Sequence, residues 1–300
     1  MILPAKFELC FFFFFFASSS PFSAKEETKT ELILLFSKMF KAIAHFGFKK
    51  SSKPFKDYYD GWFKTLKNVL LPHLRHAMSS SATSGPILLA SHVEVMHRHF
   101  LKYYEALDLA ATNDVSQVLY PDWRNPFEKP FLWVGDLHPY LFTNLLRSFI
   151  GDSESEIDSD IFDKLQNWHV VMAWKSPSRK LTTGVDQIEC GLRLMVPALA
   201  ARARDAQAKF VEKMAVEWGK CEGRKQEMKG VVGESAAAEM EELVGVFVDA
   251  NRLRRSVLSD ILNVTDVNQA AVFLEALAQF LVGFRNRELL SQFDKCSLEL

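Results

Sequence analysis

The sequence has few of the features that identify common disulfide, metal or nucleic-acid-binding proteins. Its 300 residues contain no C-x-x-C pair, and the cysteines number only four: Cys10, Cys190, Cys221 and Cys296. This spacing argues against a disulfide framework or a zinc ribbon and favours a reducing cytosol. The formal net charge is only −1. Direct nucleic-acid binding by the whole surface is therefore not expected, because it requires an excess of basic residues.

Motifs of common catalytic and cofactor sites are also missing. There is no glycine-rich phosphate loop, no G-x-S-x-G motif and no H-E-x-x-H motif. Five histidines cluster on two predicted helices, but no cysteine or carboxylate completes a set of metal ligands. They are His73, His76, His92, His97 and His99. The acidic run 152–163 lacks the glycine and final glutamate of a calcium loop. We therefore expect no metal, no cofactor and no catalytic residue.

Helical periodicity is present instead, from residue 54 onward. A first helix should begin with Pro54 in its first turn, where the missing N–H costs no intrahelical bond. Its apolar stripe comprises Phe55, Tyr59, Trp62, Leu66, Val69 or Leu70, and His73 or Leu74. Further helices are predicted at about 87–109, with Asn113 or Asp114 capping a short helix after it, and at 140–150 and 161–172.

Three long helices are predicted in the second half of the chain. The first, from about Gln187 to Trp218, should kink at Pro197. Its stripe comprises Ile188, Leu192, Met195, Leu199, Ala203, Ala206, Phe210 and Met214. The next has Leu243, Phe247, Ala250, Arg254, Val257 and Ile261. The last, capped by Thr265, has Leu274, Leu277, Leu281 and Phe284. Arg252, Arg254 and Arg255 are expected to pair with acids of neighbouring helices.

The predicted fold class is all-α. We expect an irregular multi-helix bundle of long amphipathic helices with one ordered connection rich in aromatics and proline. That bundle would be a single domain over residues 54–290, with loops near 79–86, 151–160 and 219–235, followed by a tail at 291–300. No transmembrane segment is expected.

Residues 1–38 are interpreted as a separate N-terminal extension. They begin MILPAKFELCFFFFFFASSSPFSA, which resembles a secretory signal, although the apolar run from Leu9 to Ala17 is too short to span a bilayer. The favoured hypothesis is that translation begins at Met39 and that the extension is a gene-model artefact. Removal of the extension from the mature protein is the alternative.

A basic, flexible arm is predicted at residues 39–53. From Met39 to Lys56 there are five lysines and no acids, and aromatic residues lie between the lysines. These lysines are Lys41, Lys49, Lys50, Lys53 and Lys56. Such a segment can lie on an anionic membrane surface, with lysines attracted by headgroups and aromatics inserted shallowly. A basic arm that binds nothing in particular is the alternative interpretation.

The prolines between Tyr120 and Pro139 exclude a continuous helix. Catalysis by Asp122, Glu128, Asp136 or His138 in this irregular segment was considered. Ion pairing with Arg124 or Lys129, or helix capping, is the favoured role for the acids.

Three stretches resemble the plant delay-of-germination family. They are residues 92–142, the segment QIECGLRLMV, and residues 248–277. The most specific are the run Asp249 to Arg254 and a corner motif formed by Trp123, Glu128, Phe131, Leu132, Trp133, Gly135 and Pro139. Asp136 and His138 depart from the wider family pattern, and we expect them to contribute to partner choice.

The Gly-Asp-Leu-His-Pro-Tyr version of the motif, with YYDGWFKTL, is similar to the inaperturate-pollen branch of this family. The resemblance implies a non-enzymatic scaffold or adaptor that helps specify pollen aperture sites at patches of plasma membrane, in pollen wall patterning. It would be cytoplasmic, would act through protein partners, and could form a homo-oligomer. The alternative is a soluble signalling or transcriptional co-regulator, with a nuclear location, in seed dormancy or hormone pathways.

Overall fold

The computed structural model describes residues 55–79, 85–151, 174, 177–220 and 225–291. These residues form eight α-helices and one small β-hairpin, so the predicted all-α class is confirmed. The extension, the arm at 39–53 and the predicted helix at 161–172 lie outside the described residues. So do the predicted loop at 152–160 and the tail from 292.

Helices α1 (Phe55–Thr65) and α2 (Leu71–Ser79) are joined without a break by a π-helical turn, Leu66–Leu70. The wider turn shifts which residues face the core. As a result Leu74 is buried while Val69 and His73 face solvent. Between the alternatives that periodicity left open, the structure selects Leu70 and Leu74.

Helix α3 (Gly85–Asp114) is longer than the predicted helix, and the short α4 (Ser116–Leu119) follows it. The carboxylate of Asp114 accepts a hydrogen bond from the backbone N–H of Ser116, at 3.0 Å. The N-cap position of α4 is nevertheless Val115, which makes no side-chain capping bond, so the prediction of Asn113 or Asp114 as the cap is wrong. The predicted loop at 79–86 is wrong at both edges, since Ser79 and Gly85 are helical.

The proline-rich segment is irregular, as predicted. A 3₁₀ turn (Lys129–Phe131) leads into strand β1 (Leu132–Trp133), which pairs antiparallel with β2 (Asp136–Leu137). In this register Leu132 pairs with Leu137 and Trp133 with Asp136. Helix α5 (Tyr140–Gly151) begins directly after Pro139.

Helices α6 (Arg179–Lys220) and α7 (Lys225–Val264) form a long antiparallel pair. At one end the Lys180 ammonium donates to the Asn263 carbonyl, at 2.7 Å. The predicted loop at 219–235 is wrong over residues 225–235, which are helical. Glycine lowers helix propensity only weakly, and packing of α7 along α6 outweighs it.

Helix α8 (Val267–Gly283) packs against α2, α3 and α5 and is buried along most of its length. Asp266 caps it, forming a reciprocal capping box with Gln269. The prediction of Thr265 as the cap is wrong, because its hydroxyl donates back to the Ile261 carbonyl at the end of α7.

The predicted stripes of α7 and α8 are buried throughout. In α6 the predicted stripe is buried at Leu192, Leu199 and Phe210. Met195 is 44% exposed, so its predicted burial is wrong. Pro197 lies inside α6, and its kink stays a prediction. None of the helices in the described part of the chain has both the length and the apolar content for a membrane crossing.

Candidate functional site

The tip of the hairpin is a two-residue turn with an unusual backbone. Val134 has φ 46° and Gly135 has φ 76°, so both are left-handed, as a type I′ turn requires. A Cβ on Gly135 would lie 2.2 Å from the Val118 carbonyl oxygen and 2.8 Å from the Phe247 ring. Only glycine fits this position. Val134 carries strain, because a β-branched side chain disfavours positive φ.

Arg124 lies under the hairpin as the centre of a buried polar cluster. One guanidinium nitrogen, Nη1, donates to Glu128 at 2.6 Å and to the Tyr59 hydroxyl at 3.1 Å. The other, Nη2, donates to the Tyr103 hydroxyl at 2.6 Å and to Asp136 at 3.0 Å. The Tyr59 hydroxyl itself donates to Glu128. The ion pairing expected for Glu128 and Asp136 is therefore present.

Electrostatics keeps this cluster charged in the interior. Burial opposes the charge on Arg124, but the facing tyrosines and the carboxylates of Asp136 and Glu128 together raise its pKa above the ordinary value. Burial raises the pKa of Tyr103 well above its usual value. Burial also raises the pKa of Tyr59, so both tyrosine hydroxyls stay neutral near pH 7.

Arg254 of α7 is fully buried and contacts the same hairpin from the other side. Its Nε donates to the Leu137 carbonyl at 2.7 Å. Its Nη2 donates to the carbonyls of Trp133, Val134 and Asp136. We call the two arginines and the hairpin they hold, residues 132–137, the clamped corner.

Within the described ranges no carboxylate forms an ion pair with Arg254, and its Nη1 donates instead to the Asn251 side chain, at 2.7 Å. Burial lowers the pKa of Arg254, which Asp136 partly offsets. Arginine nevertheless stays protonated in proteins. The positive charges of Arg124 and Arg254 are balanced by the negative charges of Glu128 and Asp136.

The clamp joins the two most specific sequence motifs. Arg254 belongs to the run Asp249 to Arg254, and one of the carbonyls that it bonds, that of Trp133, belongs to the corner motif. Its other carbonyl partners lie between Trp133 and Pro139 of that motif. Asn251 also donates to Asp108 of α3, at 2.9 Å, and Arg255 pairs with the same carboxylate. The expectation that Arg254 pairs with an acid of a neighbouring helix is wrong, whereas it holds for Arg255. It is wrong for Arg252 too, which pairs with Asp249 of its own helix.

The aromatic members of the corner motif pack on three sides. Trp123 contacts the rings of Phe55 and Tyr59. Phe131 packs against Phe280 of α8 and against Phe284, which directly follows α8.

The remaining members of the motif complete this packing. Trp133 packs with Leu199 of α6 and Ala250 of α7. Leu132 is partly buried against the core, and Pro139 is buried. The motif thus attaches the irregular segment to several helices at once.

The two residues expected to select partners have different surroundings. Asp136 is 2% exposed and pairs with Arg124, and its contribution to partner choice stays a prediction. His138 is half-buried between the rings of Trp133 and Tyr140. Burial, with a smaller effect of Arg254, lowers the pKa of His138 to about 4. Its role in partner choice stays a prediction.

The corner offers little room for a substrate. A cavity lined by Tyr59, Tyr103, Arg124 and Asp136 measures about 10 Å³, roughly the space of one water molecule. The carboxylates of Glu128 and Asp136 are fixed by Arg124. Asp122 is exposed and does not line this cavity. What the arrangement does is hold the hairpin in place.

The clustered histidines are not arranged around a common centre. The rings of His73 and His92 lie 5.8 Å apart. His97 bonds the Ser259 hydroxyl, and His99 bonds the Trp62 carbonyl and stacks on its ring. Within the described ranges, no three histidine, cysteine, aspartate or glutamate side chains are grouped to hold a metal ion. Of the lysines predicted to contact membrane, Lys56 is exposed, and Lys41, Lys49, Lys50 and Lys53 lie outside the described residues.

The sequence interpretation missed the roles of Arg124, Arg254 and the two tyrosines. One signal was available for Arg254, because it occupies a position on the apolar stripe of α7 where only buried residues are expected. A charged residue on such a stripe requires a buried partner.

Comparisons with known proteins agree with the resemblance. The family model for seed dormancy control, DOG1, matches residues 70–148, which include most of the clamped corner. The chain is 47% identical over 268 residues to the protein INAPERTURATE POLLEN1 of Arabidopsis thaliana, covering 84% of this chain and 97% of that protein.

Two further relatives are more distant. The INAPERTURATE POLLEN 1 homolog of Oryza sativa subsp. japonica is 35% identical, over 81% of this chain and 90% of that protein. DOG1-like 3 of Arabidopsis thaliana is 24% identical, over 73% and 78% respectively. The chain belongs to the DOG1 domain family, and within it to the group that contains the inaperturate pollen proteins.

Proposed function

We propose that this chain helps specify pollen aperture sites at the plasma membrane, as a non-enzymatic scaffold or adaptor in pollen wall patterning. The observation that carries the proposal is the 47% identity to a relative named for inaperturate pollen, over 97% of its length. The corner supports a non-enzymatic role, because its carboxylates serve as partners of a buried arginine.

The test is complementation of Arabidopsis thaliana plants that lack INAPERTURATE POLLEN1. A tagged copy of the chain should restore apertures and should mark discrete membrane patches in developing microspores. Failure to restore apertures despite normal accumulation contradicts the proposed function. A diffuse nuclear signal contradicts the proposed membrane site.

Membrane attraction would come from the basic arm with Lys41, Lys49, Lys50, Lys53 and Lys56. Each lysine near an anionic surface contributes about 1 kcal/mol. Replacing all five by glutamine should abolish binding to phosphatidylserine vesicles at low salt, and salt should release the unaltered protein. Vesicle binding that is unchanged in the variant contradicts a role for the arm.

A role through protein partners also predicts that catalytic-type substitutions are harmless. Asp122 is the acid of the segment that can be changed without disturbing the buried cluster, because it is exposed. Asp122→Asn should restore apertures as well as the unaltered chain does. Loss of aperture restoration in this variant, with folding and partner binding intact, would favour an enzyme.

A second candidate is a soluble co-regulator in dormancy or hormone signalling. The match to the seed dormancy control family model favours it. Transcript outside anthers, together with tagged protein in nuclei, would support it over the membrane proposal. Either function would use protein partners, and a homo-oligomer is part of both proposals. Light scattering of the purified chain tests that element.

A further inference from the structure

A basic cleft lies where the π-helical turn and α2 meet the end of α8. It is open to solvent and has a volume of about 520 Å³. Four of its lining residues are cationic: Lys67, Arg75, Arg285 and Arg287. No carboxylate lines it among the described residues. We call this surface the basic cleft.

Two of the cations are held in fixed positions by acids that lie behind the lining. Arg75 pairs with Glu275 of α8, whose side chain is buried, at 2.7 Å. Arg285 pairs with Asp60 at 2.9 Å. Arg285 also lies over the rings of Tyr59 and Phe63, at 4.8 and 4.5 Å. These guanidinium groups are pre-organised, which lowers the entropy cost of binding a ligand.

The other two cations have no acid partner. Lys67 and Arg287 are exposed, and within the described part of the chain neither forms an ion pair or a side-chain hydrogen bond. The cleft and the acids behind it therefore carry an excess of two positive charges. Like charges gathered on a concave surface repel each other, and an anion in the cleft relieves that repulsion.

The polar neighbours of the cleft suit an anion as well. The amides of Gln279 and Asn286 contribute to the lining. The main-chain carbonyls at the end of α8 would oppose an anion, but those of Val282 and Gly283 already accept hydrogen bonds from the backbone N–H groups of Arg285 and Asn286. The partial negative charge at the C-terminal end of α8, about half an elementary charge, is smaller than the excess of two positive charges.

We propose that the basic cleft binds a small, multiply phosphorylated group of the inositol phosphate type. Arginine forks match phosphate oxygens, and several cations favour a ligand with more than one phosphate. The cleft has the volume of a small-molecule site, larger than a single inorganic phosphate needs. The same chemistry occurs in a phosphorylated inositol lipid headgroup and in a free inositol phosphate.

The test is calorimetric titration of the full chain with inositol 1,4,5-trisphosphate at low salt. Lys67→Gln/Arg287→Gln removes the two cations that hold no structural contact, and affinity should fall about tenfold or more. The matched control is Arg193→Gln/Lys209→Gln, which removes two exposed cations of α6 and should change affinity by less than about twofold. Unphosphorylated inositol should not bind.

Absence of saturable binding by the unaltered chain overturns the proposal, and so does equal weakening in both variants. A variant lacking the five arm lysines separates this site from the proposed membrane arm, because it should keep trisphosphate binding. Vesicles containing phosphatidylinositol bisphosphate identify the source. If the cleft variant is no longer recruited to these vesicles, the ligand is the lipid headgroup. If the cleft variant loses only its binding of the soluble trisphosphate, the ligand is the free inositol phosphate.

Discussion

In the clamped corner and at the neighbouring Glu128, four charged side chains lie inside the protein, whereas the ion pairs that join α6 to α7 lie at the surface. Arg254 is held by main-chain carbonyls, and Arg124 by side chains. On α6, by contrast, Arg202 is partly exposed and pairs across the helices with Glu242 and Asp249. The α6 helix also leaves apolar residues in solvent, such as Leu194, which is 70% exposed.

This difference shows two ways of specifying structure. Packing of the helix pair depends on a repeating apolar pattern that many side chains share. The corner depends on directional bonds from a few side chains, each with several partners. Removing one partner there leaves buried polar groups unsatisfied, so the corner should tolerate substitution far less than the helix pair does.

The largest expected effect comes from removing an arginine. Arg254→Met leaves the hairpin carbonyls without donors, and we expect a loss of about 4 kcal/mol in the free energy of unfolding. The control is Arg202→Met, which breaks surface pairs and should cost less than about 1 kcal/mol. Urea unfolding followed by circular dichroism measures both. Equal losses in the two variants would show that the corner is no more dependent on its charges than the helix pair.

Adding a methyl group should have opposite signs in the two regions. Gly135→Ala places a Cβ against the Val118 carbonyl at a positive φ, and we expect a cost of about 3 kcal/mol. Gly191→Ala lies in α6 with nothing within 4 Å of the new Cβ. It should stabilise by about 0.5 to 1 kcal/mol, because alanine favours helix. Thermal or urea unfolding measures the signs, and a neutral Gly135→Ala would contradict the turn geometry.

The remaining expected effects are pH dependences of opposite slope. His138 in the corner has a pKa lowered to about 4, so its unfolded form takes up a proton first and stability falls as pH drops from 6.5 to about 4. Glu239 of α7 has a pKa raised by burial to about 7. Its folded form keeps the proton longer, so stability falls as pH rises from 4.5 to about 7.

Two glutamine variants separate these slopes. Relative to the unaltered chain, His138→Gln should gain stability as pH falls, and Glu239→Gln should gain stability as pH rises. Urea unfolding between pH 4 and pH 7 measures the two differences. Parallel curves for a variant and the unaltered chain would show that the substituted group does not titrate differently on folding.

Periodicity in the sequence determined most of the helical architecture. The stripes of α7 and α8 are buried as predicted, because an apolar repeat near 3.6 residues leaves one face to cover. The proline content also determined that residues 120–139 interrupt the helices. Boundaries were less accurate: the predicted loop near 219–235 is largely helix, since packing outweighs weak local preferences.

Only the tertiary structure decided what the charged residues do. The sequence marks Arg254 as one of three nearby arginines, and nothing local indicates that its partners are carbonyls more than one hundred positions away. It likewise places Asp136 beside His138 in an irregular segment, although one is buried and the other half-buried. The basic cleft draws its cations from both ends of the described chain. Contacts of this kind depend on how helices meet, and helix packing is set by the whole core rather than by any local pattern.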